Sequence, residues 1–232
     1  MFSFLRFKIK QNDQVFKITT DSLVLAGLCT IKALDSRVLD VGTGTGVLAL
    51  LLKDRYPNIS VDGIDIQEEA INLANENKRL FHSPTGLHFA FSTLDQCADN
   101  SYDLIISNPP YFDRRLESPK PWKTLSRHQT NFDLEEFFVE GKKKLRPDGK
   151  IEMIYPFLGK SRLENACQNA RLSVQRRVLV KDNSTASPKI VFVSITRNSS
   201  ELIEEEIILK DASGRYSREY KELLKGWVNW DD

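Results

Sequence analysis

The chain has 232 residues, of which 41% are hydrophobic, and this size suits one large globular domain with small additions. Its formal net charge is +1, from 33 lysines and arginines against 32 aspartates and glutamates. Because the net charge is so small, the overall electrostatic field of the protein is too weak to hold a polyanion. A nucleic-acid partner would therefore need local basic patches.

The N-terminal stretch MFSFLRFKIKQNDQVFK places charged residues among its apolar ones. It lacks the uninterrupted apolar core of a signal peptide, and no later stretch is long enough to span a bilayer. Cys29, Cys97 and Cys167 are far apart and include no CxxC pair, which favours reduced thiols over disulfides or structural zinc. These features predict a soluble, cytoplasmic protein with no metal site and no membrane partner.

The first predicted element is a short helix over TTDSLVLAGLC, with Thr20 or Asp21 as its N-terminal cap. We expect this helix to pack on the main sheet, because it has no core of its own. After it, strands alternate with amphipathic helices, a pattern typical of a parallel sheet covered on both faces. The strand and helix pairs are RVLDV with GVLALLLKDRY, SVDGID with QEEAINLANENKRLF, and YDLIIS with DLEEFFVEGKKKL.

Further elements follow the third pair. They are GKIEMIYPF, a helix over KSRLENACQNARL, strands VQRRVLV and IVFVSITR around the turn NSTASPK, then EEEIILK and YSREYKELLKGW. The two strands around the turn are close enough to pair antiparallel. The result is an α/β fold, a Rossmann-like, mostly parallel sheet with an antiparallel edge strand and a C-terminal strand and helix extension. We expect one monomeric domain over residues 1–232, with a lead-in at 1–33, a core at 34–198 and the extension at 199–232.

The segment VLDVGTGTGVLALLL puts a glycine-rich turn between a strand and its helix, where a ligand can lie against the backbone. Gly42, Gly44 and Gly46 allow this close approach. Their spacing is G-x-G-x-G, whereas a dinucleotide fold needs G-x-G-x-x-G so that a pyrophosphate meets the helix N-terminus. Val47 occupies that last glycine position, so a nicotinamide cofactor is disfavoured.

Two acidic residues accompany the glycine turn. Asp40, just before it, suits a cationic ammonium group better than a phosphate, and S-adenosylmethionine carries such a group. Asp65 ends the second strand, where a carboxylate can accept both ribose hydroxyls of a nucleoside. Alone, GTGTG would be an ordinary flexible turn and Asp65 a solvated charge, but together with NPPY they favour a site for an unphosphorylated nucleoside.

The tetrad NPPY, residues 108–111, follows the third strand directly. Because prolines lack an N–H donor, Pro109 and Pro110 end the strand and fix the backbone at the sheet's carboxyl edge. Asn108 and Tyr111 are thereby directed into the cleft. The other interpretation is a proline turn that closes a strand, with Tyr111 in the core, and the position after YDLIIS favours the functional one.

These residue types suit methylation of an exocyclic amine of adenine, which is a poor nucleophile because its lone pair is delocalised into the ring. The side-chain oxygen of Asn108 and the carbonyl of Pro109 can accept the two amine hydrogens and direct the lone pair at a methyl donor, with no strong base. Tyr111, with Phe112 beside it, offers a face worth about 1–3 kcal/mol per stacked base. That offsets part of the few kcal/mol needed to extrude a base.

With the glycine loop, Asp65 and NPPY in this order, the sequence resembles class I S-adenosylmethionine-dependent methyltransferases, and more narrowly the tRNA1(Val) adenine-N6 methyltransferase family. The resemblance covers nearly the whole chain. Besides the loop and the tetrad, it rests on FKITTDSLVLAG near the start, on SRHQTNFDLEEFF, and on YSREYKELLKGW with its Y-S-x-x-Y pattern. It implies that the substrate is adenine 37, next to the anticodon of one valine tRNA.

The resemblance also implies site residues. The cofactor contacts would be at Lys17, Thr20, Asp21, Asp40, Gly42, Thr43, Gly44, Gly46, Asp65, Ile66, Thr93, Leu94, Asp95 and Asn108. Where family members have Asp-Ile after the strand that lies between QEEAINLANENKRLF and YDLIIS, to contact the cofactor's adenine, this chain has Thr93 and Leu94, and Asp95 follows. The catalytic residues would be Asn108, Pro109, Pro110 and Tyr111.

The connection DRRLESPKPWKTLSRHQ, residues 113–129, is long for a strand-to-helix loop and is basic and aromatic. Such loops beside an active site are often lids, and these residue types suit phosphates and splayed bases. We expect a tRNA clamp there, with His128 included only through the family pattern. The candidate RNA contacts are Phe112, Arg114, Arg115, Lys123, Arg127 and His128.

Two other basic segments leave alternatives open. In GKKKLR the lysines already complement a helix C-terminus, which favours a structural interpretation. In QRRVLVK, Arg176, Arg177 and Lys181 either extend an RNA surface or solvate a strand edge. His82 and His88 have no acid or cysteine at ligand spacing, so we interpret them as surface residues.

Other functions share parts of this pattern. NPPY also serves glutamine methylation of release factors, whose enzymes usually carry an N-terminal helical domain, and guanine-N2 methyltransferases of ribosomal RNA commonly add a further domain. Only a short lead-in precedes the cofactor core here. A non-catalytic RNA-binding module is a third alternative, but Gly42, Gly44, Asp65, Asn108 and Tyr111 are all present.

Overall fold

A computed structural model describes residues 1–31, 36–110, 132–199 and 201–230. In this part of the chain two short strands form an antiparallel hairpin, and eight more form one sheet in the order β10-β8-β9-β7-β6-β3-β4-β5. The hairpin strands are β1 (Phe2–Ser3) and β2 (Lys8–Ile9). The sheet strands are β3 (Arg37–Val41), β4 (Ser60–Asp65), β5 (Leu87–Phe91), β6 (Tyr102–Ser107), β7 (Leu145–Pro156), β8 (Ser173–Lys181), β9 (Ile190–Thr196) and β10 (Ile203–Ile208).

Helices follow most of the strands, as the alternating pattern predicts. They are α1 (Thr20–Leu28), α2 (Val47–Arg55), α3 (Glu68–Leu80), α4 (Leu134–Lys144), α5 (Lys160–Asn169) and α6 (Arg218–Leu223). The predicted α/β fold with a mostly parallel sheet is confirmed. The predicted cap of α1 is wrong, because Thr19 keeps an extended backbone at the N-cap position, and Thr20 and Asp21 lie in the first turn.

The antiparallel strand is β9, which pairs antiparallel with both β7 and β8. The predicted antiparallel pairing of β8 and β9 is therefore confirmed. Its predicted position at the sheet edge is wrong, because β9 lies third from that edge, with β8 and β10 beyond it. After β8 a turn reverses the chain, and β9 enters the space between β7 and β8. β10 then pairs parallel on the outer side of β8.

Ion pairs join β8 to β10. Arg176 Nε lies 2.5 Å from Glu205 Oε2, Lys181 Nζ lies 2.8 Å from Glu206, and Arg177 pairs with both Glu204 and Glu164. These pairs supply the local reason for β10 to lie on β8. They also neutralise the basic residues of QRRVLVK, which favours a structural role for these residues over an RNA surface. The alternative of a solvated strand edge is wrong, because β10 pairs with β8 and covers that edge.

The lysines at the end of α4 are likewise engaged. Lys142 Nζ donates to the carbonyl oxygens of Ala170 and Arg171, and Lys143 pairs with Glu140. Lys144 is buried, with 4% of its surface exposed, and donates to the Asp95 carbonyl oxygen at 2.9 Å. Lys144 thereby ties α4 to the loop after β5, so the structural interpretation of GKKKLR is supported.

Apolar side chains pack on both faces of the sheet. One cluster contains residues of the hairpin, α1, α2 and α6, and the other contains residues of α4 and α5. Among the residues that the structure describes, no helix is long and apolar enough to cross a bilayer. In the same residues, no three His, Cys, Asp or Glu side chains are grouped to hold a metal ion.

A buried carboxylate, Asp54 on α2, joins two segments that are distant in sequence. Its Oδ2 accepts hydrogen bonds from Arg6 Nη2 at 2.5 Å and from Trp227 Nε1 at 3.0 Å. Trp227 is 1% exposed, and the guanidinium of Arg55 lies 3.7 Å from the centroid of its ring. The backbone N–H of Leu5 also donates to the Trp227 carbonyl oxygen. The lead-in and the C-terminal extension therefore meet on α2.

Candidate functional site

A cleft of about 660 Å³ lies at the carboxyl ends of β3, β4 and β6. This is the edge at which ligands bind in open parallel sheets, and the volume suits a nucleoside-sized molecule. The cleft brings together most of the predicted site residues. Those lining it are Lys17, Asp21, Gly42, Thr43, Gly44, Asp65, Ile66, Thr93, Leu94, Asp95, Asn108, Pro109 and Pro110.

The glycine loop adopts a backbone that other residues rarely take. Gly42, Gly44 and Gly46 have φ values of 75°, 54° and 79°, in the left-handed region where a Cβ atom is unfavourable. A Cβ on Gly42 would meet nothing within 4 Å, so the requirement there is conformational. A Cβ on Gly46 would lie 3.0 Å from Phe89 Cζ, so this glycine is needed for packing against β5.

Asp40 lies beneath the glycine loop. It is fully buried, and its Oδ2 accepts a hydrogen bond of 2.7 Å from the Thr43 hydroxyl. Burial raises the pKa of Asp40 to about 7; the Thr43 hydrogen bond opposes this rise, and the Asp65 carboxylate adds to it. The predicted direct contact with a ligand ammonium does not fit this position. Asp40 supports the loop from below through its hydrogen bond with Thr43.

The raised pKa of Asp40 has a consequence for stability. A carboxyl whose pKa is higher in the folded than in the unfolded state favours folding when protonated, so its contribution is lost as pH rises from about 4 to about 7. Asp40→Asn should remove this loss, because an amide does not ionise as pH rises. The amide oxygen can still accept the hydrogen bond from Thr43. We expect the variant to gain stability relative to wild type between those pH values in urea unfolding. Asp148→Asn, at an exposed position, is the control, and parallel curves for wild type and Asp40→Asn would contradict the assignment.

Asp65 joins β4 to the glycine loop. Its Oδ2 accepts from the Gly44 N–H and its Oδ1 accepts from the Gln67 N–H, both at 3.0 Å. Burial raises the pKa of this carboxyl, and hydrogen bonds from the backbone N–H groups of Gly44, Gln67 and Ile66 oppose the rise. Each carboxylate oxygen has a second lone pair for a further donor. A carboxylate at this position can accept from the two hydroxyls of a ribose.

The end of β6 presents Asn108 to the cleft. Ser107 is buried and its hydroxyl donates to the Val41 carbonyl oxygen at 2.9 Å, which fixes the strand end beside the glycine loop. Asn108 Nδ2 donates to Ser22 Oγ at 3.0 Å. Pro109 is buried and Pro110 half-buried, and both line the cleft. The predicted contacts Tyr111, Phe112, Arg114, Arg115, Lys123, Arg127 and His128 lie outside the described residues.

Three predicted cofactor residues do not line the cleft: Thr20, Asp40 and Gly46. Thr20 shares a hydrogen bond with the Tyr220 hydroxyl, and Gly46 packs against β5. Conversely, sequence reasoning missed several lining residues, among them Ser22, Phe16, Phe132 and Glu136. Ser22 directly follows the Thr-Asp pair of the lead-in, which is the one sequence signal that pointed to it.

The charges of the cleft restrict its ligand. Among the lining residues that the structure describes, Lys17 is the one basic side chain, whereas Asp21, Asp65, Asp95, Asp133, Glu136 and Glu140 are acidic. Phosphates would be repelled, and a nucleoside with a positively charged centre fits. Leu94 and the 45% exposed Ile66 add apolar surface for a base. These residues suit S-adenosylmethionine.

Known proteins are similar to this chain in sequence. Residues 17–177 match the family model described as methyltransferase small domain. A tRNA1(Val) (adenine(37)-N6)-methyltransferase from Tolumonas auensis is 30% identical, over 94% of this chain and 92% of the relative. The protein of that name from Bacteroides fragilis is also 30% identical, over 97% of this chain and 95% of the relative.

This chain belongs to the tRNA1(Val) (adenine(37)-N6)-methyltransferase family. The family predicted from the glycine loop, the lead-in and NPPY is thus confirmed. Solved structures agree on the fold. A predicted O-methyltransferase from Agrobacterium tumefaciens aligns with a TM-score of 0.73 at 16% identity, over 89% of this chain and 96% of that one. A ribosomal protein L11 methylase from Lactobacillus delbrueckii subsp. bulgaricus aligns with a TM-score of 0.58 at 20% identity, over 80% and 82%.

Proposed function

We propose that this methyltransferase transfers the methyl group of S-adenosylmethionine to the exocyclic N6 amine of adenine 37 in tRNA1(Val), in the cytoplasm. The observation that carries the proposal is the position of Asn108, Pro109 and Pro110 at the end of β6, in the same cleft as the glycine loop and Asp65. The relatives that bear this activity in their names match nearly the full chain.

The cleft would hold the cofactor by its nucleoside. Asp65 would accept the ribose hydroxyls, while Ile66 and Leu94 would contact the adenine faces. The glycine loop allows the chain of the methionine moiety to lie against backbone, and Lys17 supplies a positive charge for a carboxylate. When bound, the cofactor supplies an electrophilic methyl group on a sulfonium.

The residues at the end of β6 would orient the substrate amine. The Asn108 side-chain oxygen and the Pro109 carbonyl would accept its two hydrogens, which favours a pyramidal nitrogen with its lone pair directed at the methyl group. Pro109 and Pro110 make these acceptors rigid. A strong base is unnecessary, because the methylated aminium readily loses its proton to water or to Asn108.

For RNA binding we propose the loop of residues 113–129, with Tyr111 and Phe112 as stacking faces. Changing Arg114 and Arg115 together to Ala should weaken tRNA binding and lower the slope of log affinity against log salt by about 1.4, at about 0.7 per phosphate contact on single strands. Binding titrations at several salt concentrations measure this. Arg162→Ala with Lys225→Ala, at exposed positions outside the loop, is the control. An unchanged affinity and slope would contradict the clamp.

The function is tested by incubating the purified protein with labelled S-adenosylmethionine and unmodified total tRNA, followed by mass spectrometry of the nucleosides. N6-methyladenosine next to a valine anticodon is the expected product. Formation of N2-methylguanosine would mean that guanine, and not adenine, is the substrate. Unlabelled RNA would make a release-factor glutamine the next acceptor to test. If calorimetry detected no cofactor binding, the protein would instead be an RNA-binding module.

A further inference from the structure

We propose that Asn77 of α3 is a positioning residue for the cofactor, which fixes two walls of the cleft against each other. One wall is the glycine loop, including Thr45, and the other is the part of the lead-in between β2 and α1. The inference rests on the proposed function, in which S-adenosylmethionine binds between these walls. The lead-in residues that line the cleft are Val15, Phe16, Lys17 and Thr19.

The Asn77 side chain is completely buried, and both N–H groups of its carboxamide are used. Its Oδ1 accepts from the Lys10 N–H at 2.7 Å. Its Nδ2 donates to the carbonyl oxygens of Lys10 at 3.1 Å and of Thr45 at 2.9 Å. A backbone N–H can only donate and a backbone carbonyl oxygen can only accept, so these partners permit one orientation of the carboxamide. A single side chain therefore joins the end of the hairpin to the glycine loop.

Apolar packing adds a second link, five residues further along the lead-in. Val15 is 5% exposed and forms a buried cluster with Ala70 and Leu73 of α3. A Cβ atom on Gly44 would lie 3.8 Å from Val15 Cγ1, so this valine lies against the glycine loop. The Val15 N–H donates to Asn12 Oδ1 at 2.9 Å, which turns the chain toward the cleft. The lead-in wall is thus held to α3 and to the glycine loop at two points.

Loss of the Asn77 bonds should separate the two walls. The N–H and carbonyl groups of Lys10 and the carbonyl of Thr45 would lack partners, and they could reach water only if the lead-in moved off α3. A cofactor that contacts both walls would then find a smaller population of competent molecules, so its apparent Kd would rise. None of these contacts involves the end of β6, so turnover at saturating cofactor should change little.

Asn77→Asp tests this role with a side chain of nearly the same shape. The carboxylate can accept from the Lys10 N–H but cannot donate to the two carbonyl oxygens. We expect the Kd for S-adenosylmethionine to rise by about tenfold, with kcat at saturating cofactor within about twofold of wild type. Asn75→Asp is the matched control, because Asn75 lies on the same helix and donates only to the Ile71 carbonyl oxygen, at 3.0 Å. An unchanged Kd for Asn77→Asp, or an equal rise in both variants, would overturn the proposal.

Hydrogen exchange of the wild-type protein supplies a second test, which does not depend on the folding of a variant. If the lead-in must lie on the glycine loop to hold the cofactor, opening of the Lys10 N–H competes with binding. S-adenosylmethionine at about 100 times its Kd should then slow exchange at Lys10 by up to about 100-fold. The control is the Lys210 N–H, which donates to the Asp182 carbonyl oxygen near the opposite end of the sheet and should exchange equally with and without cofactor. Unchanged exchange at Lys10, or equal slowing at both amides, would also overturn the proposal.

These tests are separate from that of the proposed function, because they measure cofactor binding without RNA. If wild type bound S-adenosylmethionine but formed no N6-methyladenosine in tRNA, the proposed substrate would fail, and the two tests would still decide the role of Asn77. If wild type methylated adenine 37 and Asn77→Asp bound the cofactor normally, the proposed function would stand and the role of Asn77 would fail. If wild type bound no cofactor, both would fail.

Discussion

Asn108→Ala should lower kcat for tRNA methylation by about 10²–10³-fold, comparable to removing one preorganised polar group from an oxyanion site. The reason is that the variant loses the side-chain acceptor for the substrate amine, while the Pro109 carbonyl remains. Binding of S-adenosylmethionine should stay close to wild type, because in the proposed arrangement the glycine loop and Asp65 hold the cofactor without Asn108. Single-turnover kinetics and calorimetry measure the two effects separately.

The matched control is Asn169→Ala. Asn169 lies at the end of α5, where its Nδ2 donates to Glu135 at an exposed position, so its removal should leave kcat unchanged. If Asn108→Ala kept near-normal turnover, the role of the carboxamide would be wrong. If instead the variant lost cofactor affinity with kcat unchanged, Asn108 would be a binding residue only.

Asp65→Ala should have the largest effect on cofactor affinity, a loss of about 10²-fold, from about two charge-assisted hydrogen bonds to the ribose. The variant also leaves the Gly44 N–H without its acceptor, so the glycine loop should loosen. Calorimetry with S-adenosylmethionine measures the loss. Asp148→Ala, at an exposed position, is the control and should bind S-adenosylmethionine normally. Normal binding by Asp65→Ala would mean that the ribose lies elsewhere.

The same carboxylate predicts a pH dependence. Because burial raises the pKa of Asp65, its ionised form is lost at a higher pH than that of an exposed aspartate. Cofactor affinity should therefore decline as pH falls through this raised pKa, whereas Asp65→Asn should show a weaker affinity without that decline. A wild-type affinity that is constant over the acidic range would contradict the assignment.

Much of the fold follows from local sequence. YDLIIS and RVLDV are apolar because strands in the middle of a parallel sheet are covered on both faces. Their polar successors, Asn108 and the glycine loop, must meet at one edge, because parallel strands end at the same side. The cleft was predictable for this reason.

Other features depend on contacts between distant residues. The contact of Asn108 with Ser22 spans 86 positions, and no periodicity in the lead-in indicates it. The burial of Asp40 also could not be read from its place before the glycines, because an acid at a strand end is usually solvated. The position of β10 depends on ion pairs with β8 that become visible only when both strands are placed.

The meeting of Arg6 and Trp227 on Asp54 has a consequence for synthesis on the ribosome. The acid and the surrounding apolar surface of α2 are made first, but the indole that covers them is made 173 residues later. A nascent chain must therefore carry an uncovered patch on this helix until translation has passed position 227. Chaperones that recognise exposed apolar surface should bind the nascent protein longest at that helix.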